Sequence, residues 1–127
     1  MRALRRPRLW LALWLAMVAT VIVVSLAPPP PVPQAIPGSD KLGHVLAYFL
    51  LMAGAVQLFA SRAALLAIAV WLAALGLGLE FAQGALTASR RFELLDALAN
   101  TAGVLAGLAL AHTPAARWLQ RFDGWWR

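Results

Sequence analysis

Asp40, His44 and Tyr48 recur at four-residue intervals, Glu80 and Gln83 lie three apart, and Asp96, Asn100, Gly103 and Gly107 follow at four, three and four residues. Each set falls on one stripe of a helix. Lys41 adjoins the first set, and Arg90 and Arg91 stand just ahead of the last. These residue types support three chemistries. Arg90, Arg91 and Lys41 could receive an anion, since the guanidinium fork matches phosphate and carboxylate. Asp40, Tyr48, Gln83 and Asn100 would complete that ligand-binding set. His44, Glu80 and Asp96 form a candidate catalytic set: a histidine titrating near neutrality, a half-buried carboxyl to exchange protons with it, and a carboxylate to orient it. The same three are acceptable metal ligands. No HExxH-type pair sits on one helix, so the sequence assigns no metal and no cofactor. Against all three stands a plain packing role, because intramembrane ion pairs and Asn or Gln hydrogen bonds also fasten helices together.

The elements that carry these residues are apolar. Hydrophobic residues make up 62% of the 127, charged residues 13%, and the mean hydropathy is +0.75. Soluble domains carry about 25% charged residues. The apolar residues come in runs of about 20, the length that crosses a bilayer core of about 30 Å. The sequence therefore predicts an all-α, four-span transmembrane bundle. There are no cysteines, which excludes disulfides and thiolate chemistry. The net charge of +6 lies in arginine clusters flanking apolar runs, a topology signal and not a nucleic-acid footprint.

Residues 1–27 read as a basic N-terminus and first span, with Trp10 and Trp14 as an interfacial anchor. Ser25-Leu26-Ala27 resembles a signal-peptidase site. Pro28 would follow the cut, however, and the apolar run exceeds the roughly 7–15 residues of a signal peptide, so the span is expected to stay uncleaved. Residues 28–38 (PPPPVPQAIPG) cannot be helical and read as a stiff extended linker on the outer side. Residues 39–112 hold three more spans: Ser39 to Ala60 with Ser39 as N-cap, Ala63 to about Leu86 after a Ser61-Arg62 turn, and Glu93 to about His112. Gln57 is placed near the opposite interface. Gly76, Gly78 and Gly84 are expected to admit close helix approach, and Gly103-x-x-x-Gly107 reads as a packing face. Residues 113–127 form a Trp- and Arg-rich tail that, if helical, would lie at the interface, with Gly124 leaving the continuity of such a helix open. His112 and Asp123 are expected to have no site role.

Four spans put both termini on one side. That side carries Arg2, Arg5, Arg6, Arg8, Arg62, Arg117, Arg121 and Arg127, and the other carries Lys41, Arg90 and Arg91. The positive-inside rule makes the termini cytoplasmic. Asp40, His44, Glu80, Gln83, Asp96 and Asn100 then enter one outer slab, within about 12 Å of the interface at about 1.5 Å per residue. Ionised groups there are expected to face one another or water, because each costs roughly 2.5–3.5 kcal/mol at mid-bilayer.

At these residues the chain resembles the VanZ-like family of small membrane proteins. Asp40-Lys41-x-x-His44-x-x-x-Tyr48 opens the second span, Glu80-x-x-Gln83 closes the third, and Arg90 with Asp96-x-x-x-Asn100-x-x-Gly103 opens the fourth. The resemblance covers about residues 36–110. Leu79 stands where many members have a further acid, and Ala88-Ser89 replaces the usual Pro-Gly. The family's namesake is associated with low-level resistance to teicoplanin, a glycopeptide that binds cell-wall precursors. What the resemblance implies is a bacterial inner-membrane protein of unassigned activity.

The expected function is binding or modification of an anionic envelope lipid or lipid-linked cell-wall intermediate at an outward polar pocket. Membrane lipids are the expected partners. The alternative is a non-catalytic membrane partner or homo-oligomer joined through Gly103, Gly107 and the tail, with a proton-coupled transporter behind it. The expectation open to a geometric check is that His44, Glu80, Arg90, Asp96 and Asn100 share one pocket.

Overall fold

The computed structural model describes residues 1–27, 39–86 and 94–126. Among them every regular element is helical: α1 (Pro7–Leu26), α2 (Ser39–Leu58), α3 (Arg62–Leu86), α4 (Leu94–Ala109) and α5 (Trp118–Trp125). A 3₁₀ turn, Leu110–His112, prolongs α4, and a second, Pro114–Arg117, leads into α5. α1, α2, α3 and α4 with its 3₁₀ extension are long and apolar enough to cross a membrane. The proline-rich linker at 28–38 and the arginine-bearing connection at 87–93 lie outside the described residues, as do the side chains of Ser39, Asp40 and Leu86.

Helix limits follow local chemistry. Pro7 opens α1, where its missing N–H leaves no intrahelical bond unmade. The expected Ser61-Arg62 turn is shifted toward α2: the connection is Phe59 to Ser61, Arg62 already belongs to α3, and the Ser61 hydroxyl accepts the Ala64 N–H at 3.3 Å as its cap. α2 stops at Leu58. Its last carbonyls are met by Arg2, whose backbone N–H donates to Leu58 O at 2.7 Å and whose Nε–H donates to Val56 O at 3.0 Å.

The most extensive contact in the bundle joins α2 to α4, followed by α3 to α4. Two glycines make the first contact one of backbone on side-chain stem. A Cβ on Gly107 would stand 2.7 Å from Met52 Cβ and 2.8 Å from the Phe49 carbonyl oxygen, and one on Gly103 would overlap the Val45 carbonyl. The Gly103/Gly107 face is thus consumed inside the chain. Gly76 likewise admits Asn100 and Tyr48 against α3, whereas Gly78 meets nothing within 4 Å and brings no helix close. Leu51, Met52, Ala55, Val56, Leu72 and Val104 fill the core.

α1 is peripheral, with Val18 its one buried residue. Trp14 holds it to α2 by donating its indole N–H to the Leu51 carbonyl at 2.8 Å and packing edge-on to Phe59. Trp10 donates to Asp123 Oδ1 at 2.8 Å. Both tryptophans, expected as interfacial anchors, therefore direct their N–H groups into the protein.

The tail is a clasp. Gln57 reaches across with both ends of its amide, donating to Ala115 O at 2.8 Å and accepting the Leu119 N–H at 2.9 Å, one of the unmet donors at the start of α5. Helix α5 continues through Gly124. The buried Asp123 carboxylate accepts from the Trp10 indole and from the Arg5 backbone N–H, while Phe122 stacks edge-on to Trp10. Asp123, expected to have no site role, has a structural one and joins the two ends of the chain. The Trp10 indole N–H holds its carboxyl below the ordinary value of 3.8; burial opposes this, and the Arg5 and Arg6 backbone bonds add to it. A carboxyl depressed on folding stabilises fully above its unfolded value and loses that contribution as pH falls through the folded one. The clasp is therefore expected to be indifferent to pH near neutrality and to release only below about 3.8. Asp123→Ala should release it at every pH. Limited proteolysis of residues 113–127 together with Trp10 fluorescence checks this, and an equally protected tail in the variant would refute it.

Candidate functional site

α2 and α4 run in the same direction, and Gly103 brings their backbones together at Val45. Residues within two turns before that crossing are consequently only side-chain lengths apart. Lys41 and His44 lie there on α2, and Asp96 and Asn100 on α4. Asp96 occupies the first turn of α4, where the positive end of the helix dipole favours a carboxylate. α3 arrives antiparallel. Gly76 makes room on it for the Asn100 and Tyr48 side chains, and one turn further along stands Glu80.

The contacts form one connected set. His44 Nδ1 lies 2.8 Å from Asn100 Oδ1. An amide oxygen only accepts, so Nδ1 carries the proton and donates. The other ring nitrogen, Nε2, faces Asp96 Oδ2 at 3.6 Å, too far for a hydrogen bond. Lys41 Nζ lies 2.6 Å from Asp96 Oδ1 as a charge contact without hydrogen-bond alignment. Glu80 is 1% exposed, and one donor atom each from His44, Glu80 and Asp96 all lie within 4.8 Å of one another. Tyr48, 2% exposed, packs its ring against Gly76; its hydroxyl has no hydrogen-bond partner and feels the Glu80 charge. Gln83 donates to the Ser25 carbonyl at 2.6 Å and so ties α3 to the far end of α1. The site is accessible at Lys41 and His44 and dry at Glu80.

Of the five residues expected to share a pocket, His44, Glu80, Asp96 and Asn100 come together, joined by Lys41 and Tyr48. Arg90 and Arg91 lie outside the described residues, as does the Asp40 side chain. Gln83 spends a donor on a helix tie. One residue not expected at the site belongs to it. Gly76 was legible as a packing glycine but not as the position that seats Asn100 and Tyr48. Two surface hollows, one beside Trp10 and Asp123 and the other beside Arg62 and His112, belong to the opposite end of the bundle.

No protein-family model matches the chain, and no curated protein or solved structure shows significant similarity to it.

The arrangement lends itself to two kinds of chemistry. The Nε2 lone pair, beside two carboxylates, can take up a proton and return it. Three acceptor groups converging from three helices can also hold a cation.

Proposed function

We propose that this chain is a VanZ-like integral membrane protein of the bacterial inner membrane, crossing it four times with both termini cytoplasmic. Its α2–α3–α4 site binds the anionic headgroup of an envelope lipid or lipid-linked cell-wall intermediate. His44, Glu80 and Asp96 lie at the reacting end of that site if the ligand is modified there. The observation that carries the reading is the convergence of Lys41, His44, Glu80, Asp96 and Asn100 at one end of a bundle whose outer faces are apolar. Leu42, Leu46 and Leu50 on α2 and Leu94, Leu98 and Leu105 on α4 are all exposed. Such surface is costly in water, at about 25 cal/mol per Å², and costs nothing against acyl chains. A headgroup ligand reaches the polar cluster from the same phase that covers those faces. Arg90 and Arg91, in the sequence joining α3 to α4, supply further cations in this reading.

The use of Gly103 and Gly107 against α2 weighs against the alternative in which the same glycines join a partner helix. Native mass spectrometry of the protein, released from membranes with its lipids, tests the proposal. A retained anionic lipid is expected, with retention falling about tenfold, or 1.4 kcal/mol, in His44→Ala and Arg90→Ala. Unchanged lipid retention and an unchanged envelope phenotype in both variants would end it.

A further inference from the structure

We infer that His44 Nε2, Asp96 Oδ2 and the Glu80 carboxylate form a binding site for a single divalent transition-metal cation, with Asn100 fixing the histidine that ligates it.

Three independent features point to a cation. The first is separation. Ligands held at roughly 2.0–2.2 Å from a common ion stand about 3–3.5 Å from one another. His44 Nε2 and Asp96 Oδ2 are 3.6 Å apart, and the set of three spans no more than 4.8 Å.

The second is orientation. A ligating histidine commonly donates its other ring N–H to an oxygen acceptor, which fixes the tautomer and aims the lone pair. The Asn100 amide oxygen does this at 2.8 Å. It leaves Nε2 as an acceptor facing a carboxylate oxygen, two lone-pair donors confronting each other at a distance that no hydrogen bond spans. An ion between them satisfies both.

The third is an orphan. The Tyr48 hydroxyl lies beside the cluster, 2% exposed, without a hydrogen-bond partner, and within the field of Glu80. A buried hydroxyl of this kind is matched by a water or ligand on the ion, to which it can donate.

The donor set selects the metal. One imidazole with two carboxylates suits Zn²⁺ or Mn²⁺ better than Mg²⁺ or Ca²⁺, which prefer all-oxygen sites. Three protein ligands leave a position open, as in sites that take an exchangeable ligand. Charge also changes sign. Asp96 and Glu80 exceed Lys41 by one negative charge when His44 is neutral, and a divalent ion turns that to one positive. The cluster then attracts phosphate or carboxylate, a consequence that rests on the headgroup-binding role proposed above.

The test uses the full chain in detergent, stripped with chelator and titrated with Zn²⁺ or Mn²⁺ alone. Saturable uptake of one ion per chain is expected, with a Co²⁺ absorption spectrum showing nitrogen and oxygen ligation. His44→Ala, Glu80→Gln and Asp96→Asn should each lose it, with helicity by circular dichroism reporting that they fold. Asn100→Leu should keep the stoichiometry and weaken affinity about 10–100-fold. Asp123→Asn, at the opposite end, should change nothing. No saturable uptake by the parent chain, or uptake that survives all three ligand substitutions, overturns the metal site. Anionic-lipid retention is measured separately in metal-free and in metal-loaded protein. Lipid retained without any ion uptake removes the metal and leaves headgroup binding standing, whereas ion uptake with no lipid retained in either state does the reverse.

Discussion

Gly103→Leu is expected to yield little or no folded, monodisperse protein. The Cβ of any side chain at 103 falls on the Val45 carbonyl, and Phe49 N is 3.0 Å from the same point. Overpacking a core usually costs about 1–3 kcal/mol, because neighbouring side chains can move. Here the obstacle is the backbone of α2 itself, so relief requires sliding or separating the two helices that make the largest contact in the bundle. Gly107, one turn on, meets Met52 and the Phe49 carbonyl as closely, so the crossing has no slack on either side. A total stability of about 5–15 kcal/mol leaves little margin for that loss. Gly78→Leu is the matched control: nothing lies within 4 Å of its side, and its change should stay within about 0.5 kcal/mol. Size-exclusion profiles and thermal scans by tryptophan fluorescence separate the two. A well-folded Gly103→Leu protein would mean that α2 and α4 do not touch through this face.

Why that crossing was legible in the sequence, and other contacts were not, has a physical basis. Glycine at i and i+4 in an apolar run has one common use in lipid, so Gly103 and Gly107 announced a helix contact without naming the partner. The polar stripes did the same for His44, Glu80, Asp96 and Asn100. Each occupies a position where an unpaired group is costly, so the three stripes had to find one another or water. Spacing could not supply the pairings. That His44 uses Nδ1 toward Asn100 and turns Nε2 to Asp96 depends on the register of α2 against α4, which is set by the Val45 carbonyl lying over Gly103.

The contacts at the tail were hidden for the opposite reason. Trp10, Trp14 and the arginines match a composition rule for interfaces, and such rules are blind to a single acid. Asp123 draws the Trp10 indole inward, and Arg2 is turned to the open end of α2. Gln57, read as marking an interface, uses both ends of its amide to seat the start of α5.

The sharpest separation of stability from function is expected at Lys41 and Asp96. Their side chains are 29% and 12% exposed, so the pair is neither a free surface contact nor a sealed one. Breaking a fully buried pair from one side costs about 3–5 kcal/mol, and an exposed pair contributes about 0–1 kcal/mol. Lys41→Met and Asp96→Leu alone should each destabilise by an intermediate amount, about 1–3 kcal/mol. Asp96→Leu should be the worse of the two, because it also leaves His44 and Lys41 facing Glu80 as the one remaining carboxylate of the three-ligand cluster. The double variant Lys41→Met/Asp96→Leu should return to within about 1 kcal/mol of the parent, since two apolar side chains of similar length replace two desolvated charges. Denaturation of all four proteins in one detergent, read as a double-mutant cycle, gives the coupling directly. The same double variant should bind neither cation nor anionic lipid. If the double variant is instead as unstable as the worse single, the pair contributes net stability as a fastening between α2 and α4, and the packing role gains what the ligand role loses. A charged pair that apolar side chains can replace without cost to folding is retained for what its charges bind.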